Sequence, residues 1–329
     1  MGRRRKGRPI NGVLLLDKPQ GVTSNAALQK VRWLFQAQKA GHTGALDPLA
    51  TGVLPICFGE ATKYSQYLLN ADKGYFTTAT LGEIRESGDS DGEIVETRIV
   101  GDYDEPQLEA VLASFRGHTK QVPTMFSALK HQGRPLYEWA RKGILVEREP
   151  RDIHVYQLLL TAATHANLDL TVRCSKGTYV RSLVEDIGLK LGCGAHVSML
   201  RRFKAGHFEL HETVSLDELI ALEGRFDELD RFLRPTDCLL PDLPKICANN
   251  EQSRSLLHGQ AVRIPASEKA GLARLYISRE FLDDFVSDSF DFSRMLTEQG
   301  SEVFAGLVEL DDEGYAQPKR LLRFSADSQ

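Results

Sequence analysis

Cysteine is scarce in this chain of 329 residues, and none of it is spaced for structure or metal. The five cysteines stand at 57, 174, 193, 238 and 247, an odd number without a Cys-x-x-Cys pair. That spacing excludes a disulfide or zinc framework and reads as reduced thiols in a cytoplasmic protein. Long apolar runs are missing too. The stretch Val13 to Leu16 stops at Asp17-Lys18-Pro19, too short for a membrane span or for the core of a signal peptide. Met1-Gly2 is followed by Lys6 where a myristoylation site wants Ser or Thr. There is no nucleotide-binding glycine fingerprint and no metal-ligand cluster, so neither a cofactor nor a metal is expected.

Excess positive charge is also lacking. The net charge is −4, which by itself argues against a nucleic-acid partner, but the charge is unevenly placed. Residues 1–64 carry ten basic against three acidic side chains, residues 209–329 carry 13 against 24, and the middle balances. The basic start GRRRKGR reads equally as a solubilising tail or as an arm for phosphates. At the acidic end, RNA binding would need a local patch rather than the overall field.

What is present is the run GHTGALDPLATG, Gly41 to Gly52, which sets a lone carboxylate, Asp47, among residues with almost no side-chain bulk. A flat ligand can approach such a loop closely. Asp followed by Pro is also how a helix begins, and on these residues alone Asp47 reads as an N-cap with Pro48 at the first helical position. A second clue is Arg181. It falls in the first turn of a helix expected over about 178–191, where the helix dipole disfavours a cation. A carboxylate partner is therefore expected, with Asp47 the natural candidate; a surface arginine that tolerates its position is the commoner case.

The pattern elsewhere is a mixture of strands and helices without regular βαβ alternation. Residues 12–17 read as a buried strand, and Ser24 as the cap of a helix with Leu28, Val31 and Leu34 or Phe35 on one face. Further strands are expected at 74–81, 151–163, 167–174 and near 196–203. The fold class that follows is α+β with a mixed, mainly antiparallel sheet. Residues 117–150 are punctuated by Gly and Pro and carry Lys120, Lys130, His131, Arg134, Arg141, Lys142 and Arg148. They read as an ordered flap with one short helix, able to close on a polyanion. The Pro-rich run near 235–250 reads as a linker, so a chain ending near Asp242 should keep its activity with weaker binding.

The blocks KPQGVTS (Lys18 to Ser24), GHTGALDPLATGVLPICFGEATK (Gly41 to Lys63), KGY (Lys73 to Tyr75) and CSKGTYVRSLVEDIG (Cys174 to Gly188) come in an order that closely resembles the bacterial TruB-type tRNA pseudouridine-55 synthases. The likeness is strong over residues 9–215. LLHGQAVR (Leu256 to Arg263) and GLVELDDEGYAQPKRLL (Gly306 to Leu322) are more loosely similar to the family's C-terminal RNA-binding domain.

The resemblance implies a pseudouridine synthase catalytic domain over 1–240, with 117–150 as its RNA-binding flap, and a small PUA-like β domain over 245–329. It implies a cytoplasmic, monomeric enzyme that needs no protein partner. Its implied substrate is the T-arm of tRNA, where a flipped-out uridine at position 55 becomes pseudouridine. Asp47 is implied to be the catalytic carboxylate, paired with Arg181. Tyr75 is implied to lie against the uracil, its hydroxyl near the proton removed late, with Tyr179 beside the Asp47 and Arg181 pair. His42 is implied to enter the RNA loop and hold the base out of its stack. Lys18 and Pro19 are placed near the base, Leu200 at the uracil through its backbone, Asp89 in the arginine network, and Lys130 on the flap among the substrate-binding residues. Whether Asp47 adds to the sugar or base, or removes the C2′ proton to give a glycal, stays open.

The sequence departs from the family pattern in places. Arg85-Glu86-Ser87 replaces Thr-Asp-Thr, and Gly74 and Phe76 replace the basic neighbours of the catalytic-strand tyrosine. The acidic run Asp283 to Arg294 has no counterpart in the pattern. Two other readings stand beside the enzyme: an RNA-folding chaperone, and the catalytic subunit of a guide-RNA particle.

Overall fold

The computed structural model describes residues 7–264, 270–285 and 301–324. The basic run Arg3 to Lys6 and most of the acidic run, residues 286–294, lie outside the described residues.

The larger sheet follows the alternation written in its strands. In Asn167–Cys174, Leu168, Leu170, Val172 and Cys174 are buried while their neighbours are not, a period of two that gives the strand one core face. Eight strands run in the order Val214–Ser215, Gly12–Lys18, Thr51–Phe58, Ala195–Ala205, Lys73–Leu81, Asn167–Cys174, Arg151–Ala163 and Gly117–Gln121. Two short strands, Ala40–His42 and Phe208–Glu209, pair alongside. Val214–Ser215 runs parallel to Gly12–Lys18, and Ala195–Ala205 parallel to Thr51–Phe58; the other pairings are antiparallel.

Ser24–Leu34 and Val180–Leu191 are among the helices that cover one face of this sheet. In Ser24–Leu34 the buried positions Ala27, Leu28, Val31 and Leu34 recur at helical spacing. The cap is Thr23, not Ser24 as expected, and its side chain accepts from the Ala26 N–H at 3.1 Å. Ser24 is already helical, and its hydroxyl is committed elsewhere. In Val180–Leu191 the residues Val180, Leu183, Val184 and Ile187 enter the same core, and the helix ends on Gly192 in the left-handed region.

The flap region differs from a free excursion. Gly117–Gln121 is the edge strand of the large sheet, and beyond it come a two-rung hairpin, Lys130–His131 with Arg134–Pro135, and the short helix Leu136–Ala140. Met125, Leu136 and Ala140 form a small core of their own.

A five-stranded sheet follows, ordered Lys245–Ala248, Gly271–Ser278, Glu302–Leu310, Tyr315–Leu321 and Val262–Arg263. The run expected as a linker is packed rather than free: Thr236–Leu239 is a 3-10 turn, and Leu239 and Leu240 are buried. The reason is a shared core. Val13, Leu15, Val53, Cys57, Tyr64, Leu68 and Phe208 of the first unit pack in one cluster with Ile246, Leu275, Tyr276, Phe304 and Val308 of the second. The Tyr64 hydroxyl donates to the Arg320 carbonyl at 2.7 Å, and Lys63 Nζ to that of Leu321 at 3.0 Å.

Candidate active site

No helix follows Pro48, so Asp47 caps nothing. Residues 43–50 form an irregular loop between Ala40–His42 and Thr51–Phe58, and three polar side chains that are distant in sequence hold it in shape. Lys18, fully buried, directs its ammonium at the carbonyls of Pro19 at 2.8 Å, Val22 at 2.7 Å and Pro48 at 3.4 Å. Three donors thus face three acceptors, leaving none for a ligand. Burial pushes this lysine down to about 8, against a smaller upward pull from Asp47. The Ser24 hydroxyl donates to the Leu46 carbonyl at 2.9 Å and accepts from the Leu46 N–H at 2.7 Å, which ties the preceding block to the residue before Asp47.

The third is Arg202, whose side chain is only 1% exposed. Its Nε donates to the Val53 carbonyl at 2.8 Å, and its terminal nitrogens lie 3.2 Å from the Gly44 carbonyl and 3.5 Å from that of Ala45. Gly52 is required here. Its φ is +103°, and a Cβ would stand 2.2 Å from the Arg202 carbonyl oxygen, so backbone would collide with backbone. The Tyr75 hydroxyl adjoins the Arg202 guanidinium, and burial pushes that hydroxyl up to about 12.

Arg181 brings the site together. Its Nε lies 2.9 Å from Asp47 Oδ2 and 3.7 Å from Asp89 Oδ2. Its terminal nitrogens donate to the Ser87 carbonyl at 2.7 Å and the Phe126 carbonyl at 2.8 Å. The arginine is buried, but 39% of the Asp47 side chain remains open. Burial raises the Asp47 carboxyl above the ordinary carboxylate range; Arg181 opposes this most strongly, while Asp89 adds to it. Asp89 is held from its other side, since the Ser87 hydroxyl donates to its Oδ1 at 2.5 Å and the Asp91 N–H at 3.2 Å. The altered Arg85-Glu86-Ser87 segment therefore still supplies a hydroxyl and a carbonyl where the network needs them.

The other expected residues distribute as follows. Tyr179 is the N-cap residue of the helix that carries Arg181. His42 ends the Ala40–His42 strand, with Nδ1 buried and unpartnered, and burial together with Arg202 lowers its pKa, so the ring is neutral near pH 7. Leu200 is buried opposite Thr77, and Pro19 accepts from Lys18. Lys130 is exposed on the flap hairpin and joins no hydrogen bond or ion pair of this cluster. Gly74 and Phe76 have a packing reason: Phe203 lies over Gly74, where a Cβ would come within 2.5 Å of its ring, and stacks on Phe76 with centroids 4.5 Å apart.

Sequence reasoning missed Arg202, the loop role of Ser24, and Gln121. The Gln121 amide donates to the Tyr179 carbonyl at 3.0 Å and accepts from the Tyr179 N–H at 2.8 Å. The one available signal was Arg202, a second consecutive arginine within a strand. Among the described residues, no three His, Cys, Asp or Glu side chains are placed to hold a metal, and no helix is long and apolar enough to cross a membrane.

Residues 32–180 match the TruB family pseudouridylate synthase N-terminal domain, and residues 181–241 the tRNA pseudouridylate synthase B C-terminal domain. The chain is 50% identical to the tRNA pseudouridine synthase B of Ectopseudomonas mendocina, across 96% of both chains. It is 48% identical to that of Vibrio parahaemolyticus, across 98% of this chain and 99% of the other. Among solved structures, a chain of an H/ACA RNP bound to a substrate RNA containing 2′-deoxyuridine superposes with a TM-score of 0.67 at 23% identity, covering 98% of this chain and 92% of that one. The last likeness shows a shared pseudouridine synthase fold.

Proposed function

Because the chain belongs to the TruB family and is a tRNA pseudouridine synthase, isomerising uridine to pseudouridine in tRNA, we propose that Asp47 is its catalytic carboxylate and that its target is uridine 55 of the T-loop. The observation that carries this reading is the pairing of Asp47 with a buried arginine through one oxygen while much of its side chain stays open.

The reaction breaks the bond from C1′ to N1, turns the uracil, and joins C1′ to C5; the C5 proton leaves and N1 gains one, so no redox change occurs. Asp47 must be ionised, whether it adds to the substrate or removes the C2′ proton. Arg181 and Lys18 favour that charge against burial and Asp89. Tyr75 offers its ring to the extruded base. Its hydroxyl is neutral at rest, and the adjoining Arg202 cation lowers the cost of a transient phenolate as the C5 proton departs. Neutral His42 acts by shape and hydrogen bonding in the space the base vacates. The flap, with Lys130, and the five-stranded sheet serve as the RNA-holding surfaces, and the enzyme works as a monomer.

The test is direct. Unmodified tRNA is incubated with the protein and pseudouridine mapped by nucleotide, with a second tRNA carrying cytidine at position 55. Conversion at position 55 alone, absent from the second tRNA, is expected; conversion at other uridines refutes the assigned position.

A further inference from the structure

The flap and the catalytic arginine are joined by a side chain that no motif singles out. Gln121 is the last residue of the strand Gly117–Gln121, and its Cα partner across the ladder is Arg151, so everything between them springs from this rung. The Gln121 side chain points inward, 4% exposed. Its amide pairs with both main-chain groups of Tyr179, accepting from the N–H at 2.8 Å and donating to the carbonyl at 3.0 Å. Tyr179 is the N-cap residue of Val180–Leu191 and makes no side-chain cap of its own. Arg181 follows two residues later. A second tether runs directly from the flap, since the Phe126 carbonyl accepts from Arg181 at 2.8 Å.

We propose that Gln121 is a positioning residue that registers the flap base against the N-terminus of the arginine helix, so that flap placement and the Arg181 to Asp47 geometry are set together. The amide suits this role chemically. At neutral pH it offers, uncharged, a donor and an acceptor side by side, matching the N–H and carbonyl of one residue, and with the Gln121 side chain buried an unpaired group there is costly. Without it, Tyr179 is free to shift, and a displacement of about 1 Å in a positioning element can cost on the order of 100-fold in rate. This inference rests on the reading of Asp47 as the catalytic carboxylate.

Two variants test it, each followed by single-turnover conversion of tRNA and by RNA affinity. Gln121→Met keeps length and removes both hydrogen bonds; a rate loss of about 10- to 100-fold is expected, with affinity changed no more than about threefold. Gln121→Glu retains the acceptor but turns a charge on the Tyr179 carbonyl. Burial raises that carboxyl, as it does for Glu185, but at about pH 9 it is ionised and the variant is impaired. In acid the protonated glutamic acid again donates to the carbonyl, so its rate as a ratio to wild type should climb as pH falls from about 9 to about 5.5. Taking the ratio cancels the acid loss that Asp47 imposes on both proteins. A folded Gln121→Met within about twofold of wild-type rate, or a Gln121→Glu ratio that stays flat with pH, overturns the proposal. If Gln121→Met does not fold, the Gln121→Glu ratio decides alone. Asp47→Asn is assayed alongside: an active Asp47→Asn sinks the underlying reading, whereas an inactive one with normal Gln121 variants sinks only the positioning role.

Discussion

Arg181 Nε stands 2.9 Å from Asp47 Oδ2, while its two terminal nitrogens are taken by the carbonyls of Ser87 and Phe126. Of the two carboxylates beside it, Asp47 is the nearer and keeps open surface, whereas Asp89 stands 3.7 Å away and is buried. Asp47→Asn keeps the shape and loses the charge. It should fold normally and bind tRNA normally, with turnover lowered by roughly three orders of magnitude or more. A near wild-type single-turnover rate would show that the carboxylate is not catalytic.

Burial and Asp89 together hold the Asp47 carboxyl above its ordinary 3.8. The active form is ionised, so the single-turnover rate should fall as pH drops, with an acid limb centred above that ordinary value. Arg181 opposes the shift, so Arg181→Met should move the limb to still higher pH as well as lower the plateau. A pH profile of both proteins checks the direction.

Tyr75 and Arg202 adjoin but do different work. Arg202→Lys cannot span the carbonyls of Val53, Gly44 and Ala45, so about 2–4 kcal/mol of stability should be lost, along with the shape of the Asp47 loop. Tyr75→Phe should unfold with a midpoint close to wild type and lose turnover instead. Urea denaturation beside single-turnover kinetics separates the two.

Glu185 lies one helical turn beyond Arg181, and burial, with Asp186 and Asp89 nearby, pushes it up to about 7 from an ordinary 4.5. The folded chain then binds more protons than the unfolded chain between these values, so this residue's contribution to stability declines as pH rises through that window. Glu185→Gln should match wild type below pH 4.5 and exceed it at about pH 8, by on the order of 1 kcal/mol after allowance for partial exposure. Equal urea midpoints at about pH 8 would contradict the shift.

A chain ending at Asp242 tests how the two sheets depend on each other. The linker reading favoured a folded, active truncation, but the shared core predicts otherwise, because Val13, Leu15, Val53, Cys57 and Tyr64 would lose Ile246, Leu275 and Phe304 as neighbours. A melting temperature lower by about 10 °C or more, or aggregation, is expected. Thermal unfolding of both chains decides it.

The sequence alone determined the elements whose pattern is local. Alternation marked Asn167–Cys174, helical spacing marked Ser24–Leu34 and Val180–Leu191, and both follow from the period of the backbone itself. It also exposed Asp47 and Arg181, the one by the lack of bulk around it and the other by its position against a helix dipole. The Ser24 cap failed because Thr23 and Ser24 are chemically alike and only the third dimension offered Ser24 a better partner at Leu46. Lys18, Arg202 and Gln121 show the same limit more sharply. Their partners are main-chain carbonyls and amides, which every residue carries, and for Arg202 and Gln121 they lie up to 158 residues away. No spacing in the chain records such a contact, so only the tertiary structure could decide that these buried polar side chains hold the Asp47 loop and the arginine helix in place.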